Sequence, residues 1–285
     1  MKKIVIAGAT GYLGSHLVKE LQRMEIPIQA IARKGKRLRD QGLNPEQIIE
    51  AEVTDPATLS GKLNGADVLI STVGITRQKD GLTYMDVDFQ ANMNLLEEAK
   101  KAGIKKFIYV SVINGEKMRH LKIMEAKERF VDELKASDLE YTIVRPNGFF
   151  SDMKDFLIMA KSGRVYLFGS GNYKLNPIHG EDLAKAIVES LETSEQELMI
   201  GGPDILTQNE IAEMALKAQM KPIKIVHLPD WMRKTIMKSM RMFTSSKTYG
   251  PIEFFMTMMA QDNIAPRYGI HRLRAYFISE VDRLK

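Results

Sequence analysis

Three glycines spaced three residues apart, directly after a short apolar run, constrain this chain more than any other feature. The run Lys3–Ala7 predicts a strand, and the residues after position 11 have the apolar spacing of a helix. Glycine permits a tight turn at the strand end, close approach of the backbone to a pyrophosphate, and close packing of helix on strand. Backbone amides and the positive end of the helix dipole then face the anion. The loop therefore predicts dinucleotide binding through Gly8, Thr10, Gly11, Tyr12, Leu13 and Gly14.

The first half of the chain alternates short β-branched runs with helical stretches. Further strands are predicted at Ile28–Ala32, Ile48–Ala51, Val68–Ser71, Phe107–Ser111 and Tyr141–Val144, and helices near 12–24, 56–63, 82–102 and 121–136. Nearly continuous apolar strands are typical of parallel sheets that helices cover on both faces. The alternation predicts the α/β class, with a Rossmann-type doubly wound parallel sheet.

The pattern becomes less regular after residue 150. Helices are predicted near 152–162, 181–192 and 208–220, and short strands at Val165–Phe168, Leu198–Ile200 and Ile223–His227. No Ser/Gly-rich linker or block of like charge marks an autonomous second domain. We therefore expect residues 1–150 to form the nucleotide-binding Rossmann domain and residues 151–285 a smaller, mainly helical substrate-binding cap that packs on it, where substrates of open α/β sheets bind.

Composition excludes several classes of site. The 285 residues include no cysteine and five histidines, none in an HExxH arrangement, so we expect no metal. A net charge of +5 without a recognised binding motif does not favour nucleic acid. No signal sequence and no apolar run of about eighteen residues is present, which predicts a soluble, cytoplasmic protein. A monomer and a homodimer are both compatible with the sequence.

The end of the second predicted strand bears on which nicotinamide cofactor binds. An NAD site usually has an acid there, but this chain has Arg33 and Lys36 and no acid before Asp40. Arginine can grip a 2′-phosphate that a carboxylate would repel. The run therefore favours NADP(H), although a solvated basic loop would look the same. Further cofactor contacts are expected from Asp55 at the adenine and from Thr72, Val73 and Gly74 near the ribose and nicotinamide.

With these residues in place, the chain resembles the atypical short-chain dehydrogenase/reductases of the NmrA-like and extended branch. The glycine spacing GxxGxxG, the segment 141–150 and the segment 177–184 carry this likeness. Within the branch, the chain is similar to divinyl chlorophyllide 8-vinyl reductases in Ala126–Phe130 and in Ile200–Pro203. These short matches indicate a subgroup and leave the substrate open.

The resemblance implies roles for several residues. Lys127 matches the lysine of the family's YxxxK motif and Ser111 lies near its catalytic serine, but Ile123 replaces the tyrosine that donates a proton. Either another group supplies the proton, or the reaction does not need that acid, or there is no reaction. Cofactor contacts near the nicotinamide are expected from Pro146, Asn147, Gly148 and Phe149, and substrate contacts from Phe150 and His179.

Residues 220–250 are rich in methionine and strongly basic. Seven lysines and arginines stand against the single acid Asp230, and Met232, Ile236, Met240 and Phe243 recur at helical spacing. This stripe has three interpretations: core, a lid in which Met240 and Phe243 contact a large hydrophobic substrate, or a basic amphipathic helix in peripheral contact with an anionic membrane.

Together these observations predict an NADPH-dependent oxidoreductase. It would transfer hydride to a bulky hydrophobic, conjugated substrate, at an activated C=C bond or a carbonyl. The alternative is a non-catalytic NADP(H)-binding regulator or assembly factor of the NmrA-like type, which explains Ile123 directly. A quinone or ketone reductase with a non-standard acid is a third candidate.

Overall fold

A computed structural model describes residues 2–75 and 81–283 of the chain. The chain divides into two compact units. The first, the nucleotide unit, comprises Met1–Arg145 and Leu183–Leu198. The second, the C-terminal unit, comprises Pro146–Asp182 and Met199–Lys285.

The nucleotide unit is built on a parallel sheet. Its strands are β1 (Ile4–Ala7), β2 (Ile28–Ala32), β3 (Ile48–Glu50), β4 (Val68–Ser71), β5 (Lys106–Val110), β6 (Glu140–Pro146) and β9 (Glu197–Ile200). The strand order is β3-β2-β1-β4-β5-β6-β9, and the pairings from β3 through β6 are all parallel. The order reverses between β1 and β4, so a crevice opens at their carboxyl ends, where open α/β sheets bind ligands.

Helices cover this sheet on both faces. They are α1 (Tyr12–Arg23), α2 (Lys36–Asp40), α3 (Pro56–Leu59), α4 (Ala91–Lys101), α5 (Lys122–Lys135) and α7 (Gly180–Glu189), and a π-helical turn, Met85–Gln90, leads directly into α4. The core under α4 and α5 contains Leu69, Leu95, Phe107 and Phe130, all of which are buried. These apolar strands are buried because helices cover both faces of a doubly wound sheet.

The C-terminal unit contains the remaining elements of the described chain. They are α6 (Lys154–Lys161), β7 (Val165–Phe168), β8 (Lys174–Leu175), β10 (Leu206–Thr207), α8 (Gln208–Ala218), β11 (Ile225–Leu228), α9 (Asp230–Phe243), α10 (Ser246–Met258) and α11 (Leu273–Arg283). Strand β7 pairs with β11 and β8 with β10 in two small ribbons. Phe150, Phe156 and Phe277 are buried in a core of their own.

The predicted fold class is confirmed: a parallel Rossmann-type sheet is flanked by helices, and the C-terminal region is mainly helical. The helix predicted over 56–63 ends at Leu59, and Gly61 beyond it adopts the left-handed conformation with φ +72°. Strand β9 extends the sheet from far along the chain through a bond from the Ile143 amide to the Gln196 carbonyl. The division at residue 150 into two functional domains stays a prediction. Among the described residues, no helix is long and apolar enough to cross a membrane.

Candidate functional site

The glycine loop after β1 packs against the end of β4. Gly8 has φ +82°, and a Cβ at this position would lie 2.5 Å from Thr72 Oγ1. The Thr72 hydroxyl is 3.2 Å from the carbonyl oxygens of both Ala7 and Gly8 and donates there. Only glycine fits at position 8. Thr72, which the sequence predicted to contact the cofactor, fixes the loop through these two bonds.

The two later glycines bring the loop close to α1. A Cβ on Gly14 would lie 2.2 Å from the Gly8 carbonyl oxygen, whereas one on Gly11 would approach that oxygen only to 3.2 Å. Gly11 caps α1 without a side-chain hydrogen bond, and the first turn of α1 contains no acid. The N-cap residue therefore supplies no side chain that would compete with an anion at this helix start, as a pyrophosphate site requires.

Two acidic residues, one at the end of β3 and one just beyond it, lie beside the basic loop after β2. Arg33 is exposed, and its Nε is 3.9 Å from Glu52 Oε2. Glu50 accepts a hydrogen bond from the Gly35 amide at 2.8 Å. The local sequence around Arg33 did not predict these carboxylates. They lie here because the parallel register of β2 and β3 pairs Ala32 with Glu50. Lys36 begins α2 on the same loop.

Asp55 has a structural role at the start of α3. Its carboxylate accepts a hydrogen bond from the Ala57 amide at 3.0 Å, so it is the N-cap of that helix. The other carboxylate oxygen has no part in that bond. The adenine contact expected of Asp55 stays a prediction.

A buried asparagine holds the end of β4. The Asn92 side chain accepts from the Ser71 hydroxyl at 2.6 Å and donates to the carbonyl oxygens of Val73 at 3.3 Å and Asp88 at 3.0 Å. Asn92 is fully buried on α4. It thus fixes the backbone that leads into Gly74, and no sequence motif had singled it out.

Lys127 lies in a buried ion pair. Its Nζ is 2.9 Å from Asp88 Oδ1, and the Asp88 side chain is completely inaccessible to solvent. A Cβ on Gly74 would lie 2.6 Å from that oxygen and 2.7 Å from Lys127 Nζ. The pair therefore lies directly against the backbone at the end of β4, and Gly74 leaves the space for it.

The surroundings of this pair keep the lysine charged. Burial disfavours the ammonium, but the facing oxygens of Tyr109 and Asp88 more than offset that cost and hold the pKa of Lys127 above its ordinary value. Burial likewise raises the pKa of the Tyr109 phenol. Lys127 is thus a cation, and Tyr109 a neutral phenol, at physiological pH.

The position of the family's tyrosine holds a buried aliphatic side chain. Ile123 is 3% exposed and lies one turn before Lys127 on α5. It can neither donate nor accept a proton. Any proton that a reaction needs must come from another group or from water.

Ser111 belongs to a second buried network. Its hydroxyl donates to Glu128 Oε1 at 2.7 Å, and Arg145 donates to both oxygens of the same carboxylate, at 2.8 and 3.0 Å. A Cβ on Gly115 would lie 2.4 Å from Glu128 Oε1. Ser111 is thus brought together with Glu128 and Arg145, and the catalytic role that the family suggests for it stays a prediction.

In the C-terminal unit, the side-chain nitrogen of Asn147 donates two buried hydrogen bonds. Its side-chain amide donates to Asn176 Oδ1 at 2.7 Å and to the Asn263 carbonyl oxygen, and the residue is 1% exposed. Pro146 precedes it as the last residue of β6. Gly148 has φ +55° and is followed by the half-buried Phe149. Their predicted cofactor contacts stay predictions.

His179 lies in an aromatic cluster of the C-terminal unit. Its ring stacks on His271 with centroids 4.2 Å apart and meets Phe150 edge-on at 5.5 Å. Asp182 orients His271, since its carboxylate is 2.8 Å from His271 Nδ1 and accepts the His271 amide at 3.0 Å. The two histidines are 92 positions apart in the chain, so no local sequence pattern predicted that their rings stack.

The same cluster brings together three potential metal ligands. One atom each from His179, Glu181 and His271 lies within 4.8 Å of the others. A ring nitrogen binds a metal in the plane of its ring, but these two rings are stacked, with an interplanar angle of 23°. Their lone pairs therefore run side by side and do not converge on one ion.

Met240 and Phe243 both lie on α9. Met240 is half-buried, and Phe243 is 77% exposed. The predicted contact of these two side chains with substrate stays a prediction.

Comparison with known proteins identifies the family. The model of a family described as NAD(P)H-binding matches residues 8–194, which include the glycine loop, the end of β4 and Lys127. The chain belongs to this NAD(P)H-binding family. The resemblance drawn from the sequence is confirmed at this level, and so is a nicotinamide cofactor.

Relatives and one solved structure place the chain more closely. It is 27% identical to divinyl chlorophyllide a 8-vinyl-reductase of Oryza sativa subsp. indica, over 96% of this chain and 77% of that protein. It is 26% identical to photosystem II assembly factor Ycf39 of Guillardia theta, over 79% and 73%. NADPH-dependent quinone oxidoreductase QOR2 of Escherichia coli, solved with NADPH, shares the fold with a TM-score of 0.69, 18% identity and 99% coverage of both chains. These relatives support an oxidoreductase-like family.

Proposed function

We propose that this protein is an NADPH-dependent reductase that transfers hydride to a bulky hydrophobic acceptor with a conjugated C=C bond. The observation that carries the proposal is the buried Lys127–Asp88 pair against Gly74, at the carboxyl end of β4. The start of α1, where Gly11 supplies no capping side chain, follows β1, the neighbour of β4 in the sheet, and supports a bound pyrophosphate. A site with both features can hold the cofactor at its pyrophosphate and at its nicotinamide ribose.

The proposed preference for NADPH depends on Arg33. Its guanidinium is exposed at the end of β2, where an NAD site has an acid. Glu52 is 3.9 Å from Arg33 and would oppose a 2′-phosphate, which weakens the preference without reversing it. We expect Arg33 to turn from Glu52 to the phosphate when NADPH binds, with Lys36 adding positive charge.

Lys127 is proposed to position the nicotinamide ribose. Asp88 holds its ammonium in place, so the lysine loses little conformational freedom when it binds ribose hydroxyls. Its positive charge would not assist the departure of hydride, because the nicotinamide ring gains positive charge in that step. Its main contribution is therefore orientation.

The absence of a tyrosine at position 123 favours reduction of carbon over reduction of a carbonyl. Hydride from C4 of the nicotinamide would add to the β-carbon of an activated C=C bond, and the electron pair of that bond would move to the α-carbon. A proton from water would complete the product, leaving NADP⁺. No phenol is needed at the α-carbon, so Ile123 is compatible with this chemistry.

A second candidate is an NADP(H)-binding assembly factor that consumes no cofactor. The buried Ile123 and the Ser111 hydroxyl bound to Glu128 favour it, because neither offers a proton to a substrate. The relative of this chain in Guillardia theta is named photosystem II assembly factor Ycf39. In this case the Lys127–Asp88 pair would serve only to bind the cofactor.

Turnover with deuterated cofactor separates the two candidates. The purified protein is mixed with NADPH deuterated at C4 and with a panel of vinyl-bearing macrocycles, enones and quinones. For a reductase, we expect cofactor oxidation equal to product formed, with one deuterium on the β-carbon. Stoichiometric NADPH binding without oxidation across the whole panel would contradict the reductase proposal and favour the assembly factor.

A further inference from the structure

Helix α9 presents large apolar side chains to solvent along its whole length. None of its residues is buried. A single residue separates the helix from the end of β11. Trp231 is 65% exposed, Met242 67% and Phe243 77%. Scattered exposed apolar residues are ordinary, but three of this size on one fourteen-residue helix need an apolar partner.

The same helix carries a surplus of positive charge. Arg233, Lys234, Lys238 and Arg241 stand against the single acid Asp230 of the helix, and Arg241 pairs with Glu253 of α10, which leaves the surplus on the lysines. Asp230 pairs with Arg233 at 2.7 Å and lies 3.5 Å from Lys234. Within residues 2–75 and 81–283, Lys238 forms no ion pair. The helix thus has unneutralised charge for an anionic partner.

The spacing places the two kinds of side chain together. Trp231 and Met242 are eleven positions apart and therefore lie on the same face of the helix, with Lys238 between them. Thr235 and Ser239 keep the neighbouring positions small. Lysine can bury its methylene stem among apolar groups and extend its ammonium to a polar layer. A helix face that combines exposed aromatic and methionine side chains with lysines can lie in a membrane interface, its apolar groups in the acyl layer and its ammonium groups at the headgroups.

We infer that the exposed face of α9 binds the surface of an anionic phospholipid bilayer. A protein groove would satisfy the apolar side chains, but it would also need acids for the basic ones. Nucleic acid would satisfy the charge and leave Met242 and Phe243 in water. A bilayer with anionic headgroups offers both, an apolar layer beneath a negative one. The inference does not depend on the reductase proposal, because it uses no residue of the cofactor site.

Trp231 makes the inference directly testable, because it is the single tryptophan of the chain. The full-length protein is titrated with phosphatidylcholine vesicles containing about 30% phosphatidylglycerol, and with vesicles of phosphatidylcholine alone. Trp231 emission should shift to shorter wavelength with the anionic vesicles only, and the protein should sediment with them. About 1 M salt should reverse most of the binding, since screening weakens the charge attraction.

Two variants and two matched controls locate the contact. Lys234→Gln/Lys238→Gln should lower the partition coefficient about 30-fold, because each lysine near an anionic surface contributes about 1 kcal/mol. Met242→Asp should lower it about tenfold or more. Lys19→Gln/Lys101→Gln, on exposed lysines of α1 and α4, and Ile278→Ser, on a 48% exposed residue of α11, should leave it unchanged. NADPH affinity should be the same in all of them, which also shows that each variant is folded.

The results that overturn the inference are equally defined. Absence of sedimentation with either vesicle removes it. Equal binding to neutral vesicles would show that the lysines do not select an anionic surface, and the proposed partner would be wrong. Sedimentation with anionic vesicles without a Trp231 shift would place the contact elsewhere on the protein, and α9 would then not be the binding helix.

Discussion

The ammonium of Lys127 lies 2.9 Å from the carboxylate of Asp88, and both groups are shielded from water at the end of β4. Such a pair contributes little net stability while both partners are present, but removal of one leaves a buried charge without compensation. The pair thereby holds a cation beside Gly74.

We expect Lys127→Met to lower the free energy of unfolding by about 3–5 kcal/mol near pH 8, because Asp88 stays buried without its cation. Burial already raises the pKa of Asp88 above its ordinary value. A raised pKa in the folded state favours folding at low pH and loses that contribution as the pH rises through it. The defect should therefore shrink as the pH is lowered towards about 5, as measured by urea unfolding at several pH values.

The double variant Lys127→Met/Asp88→Asn is the control for this prediction. It removes both charges and should recover most of the stability while NADPH affinity stays low. A defect in Lys127→Met that does not change with pH, or that the second substitution does not relieve, would contradict the coupling. Loss of turnover with unchanged NADPH affinity would assign Lys127 to the chemical step.

Arg33→Ala should weaken NADPH binding by about 1.5–3 kcal/mol, the scale of a charge-assisted contact, and hardly change NADH binding. Glu52→Gln is the matched variant, because Glu52 lies 3.9 Å from the same guanidinium. It should strengthen NADPH binding and leave NADH unchanged. Calorimetric titration of both cofactors checks the pair of variants, and equal losses for NADPH and NADH in Arg33→Ala would remove the 2′-phosphate assignment.

Gly14→Ala should reduce NADPH affinity more than tenfold, because the new methyl group would lie 2.2 Å from the Gly8 carbonyl oxygen and displace the loop. Gly11→Ala is the milder comparison, since its methyl group would approach that oxygen only to 3.2 Å. The NADPH affinity of both variants is measured from the change in NADPH fluorescence on binding. A larger loss in Gly11→Ala than in Gly14→Ala would show that close approach of the ligand at position 11, and not packing at position 14, limits binding.

Asp182→Ala should destabilise the C-terminal unit by about 3 kcal/mol, since it removes a buried acceptor of several hydrogen bonds. Asp182 accepts from the amides of Ile270 at 3.1 Å and His271 at 3.0 Å and contacts the His271 ring. His271→Ala keeps both amide bonds and should cost less. Thermal and urea unfolding compare the two variants, and an equal or larger cost for His271→Ala would place the stabilisation in the ring stack.

Local sequence determined most of the nucleotide unit. The glycine spacing predicted the loop because a Cβ at position 14 would meet Gly8 within the loop itself, whereas the clash of a Cβ at position 8 is with Thr72 at the end of β4. Apolar runs predicted β2 and β4 at their observed bounds, because a strand covered on both faces has no polar side to interrupt it. Lys127 was predicted from its place in a family motif, and α5 carries it to the end of β4.

Tertiary structure decided which groups meet across the chain. Asp88 faces Lys127 from 39 positions away, Glu52 reaches Arg33 from the segment just after β3, and Asp182 holds His271. No local pattern encodes these pairs, since each depends on the register of strands or on the docking of one element on another. The exposure of α9 was equally hidden, because an amphipathic sequence gives the same helical stripe whether it packs in a core or faces a membrane.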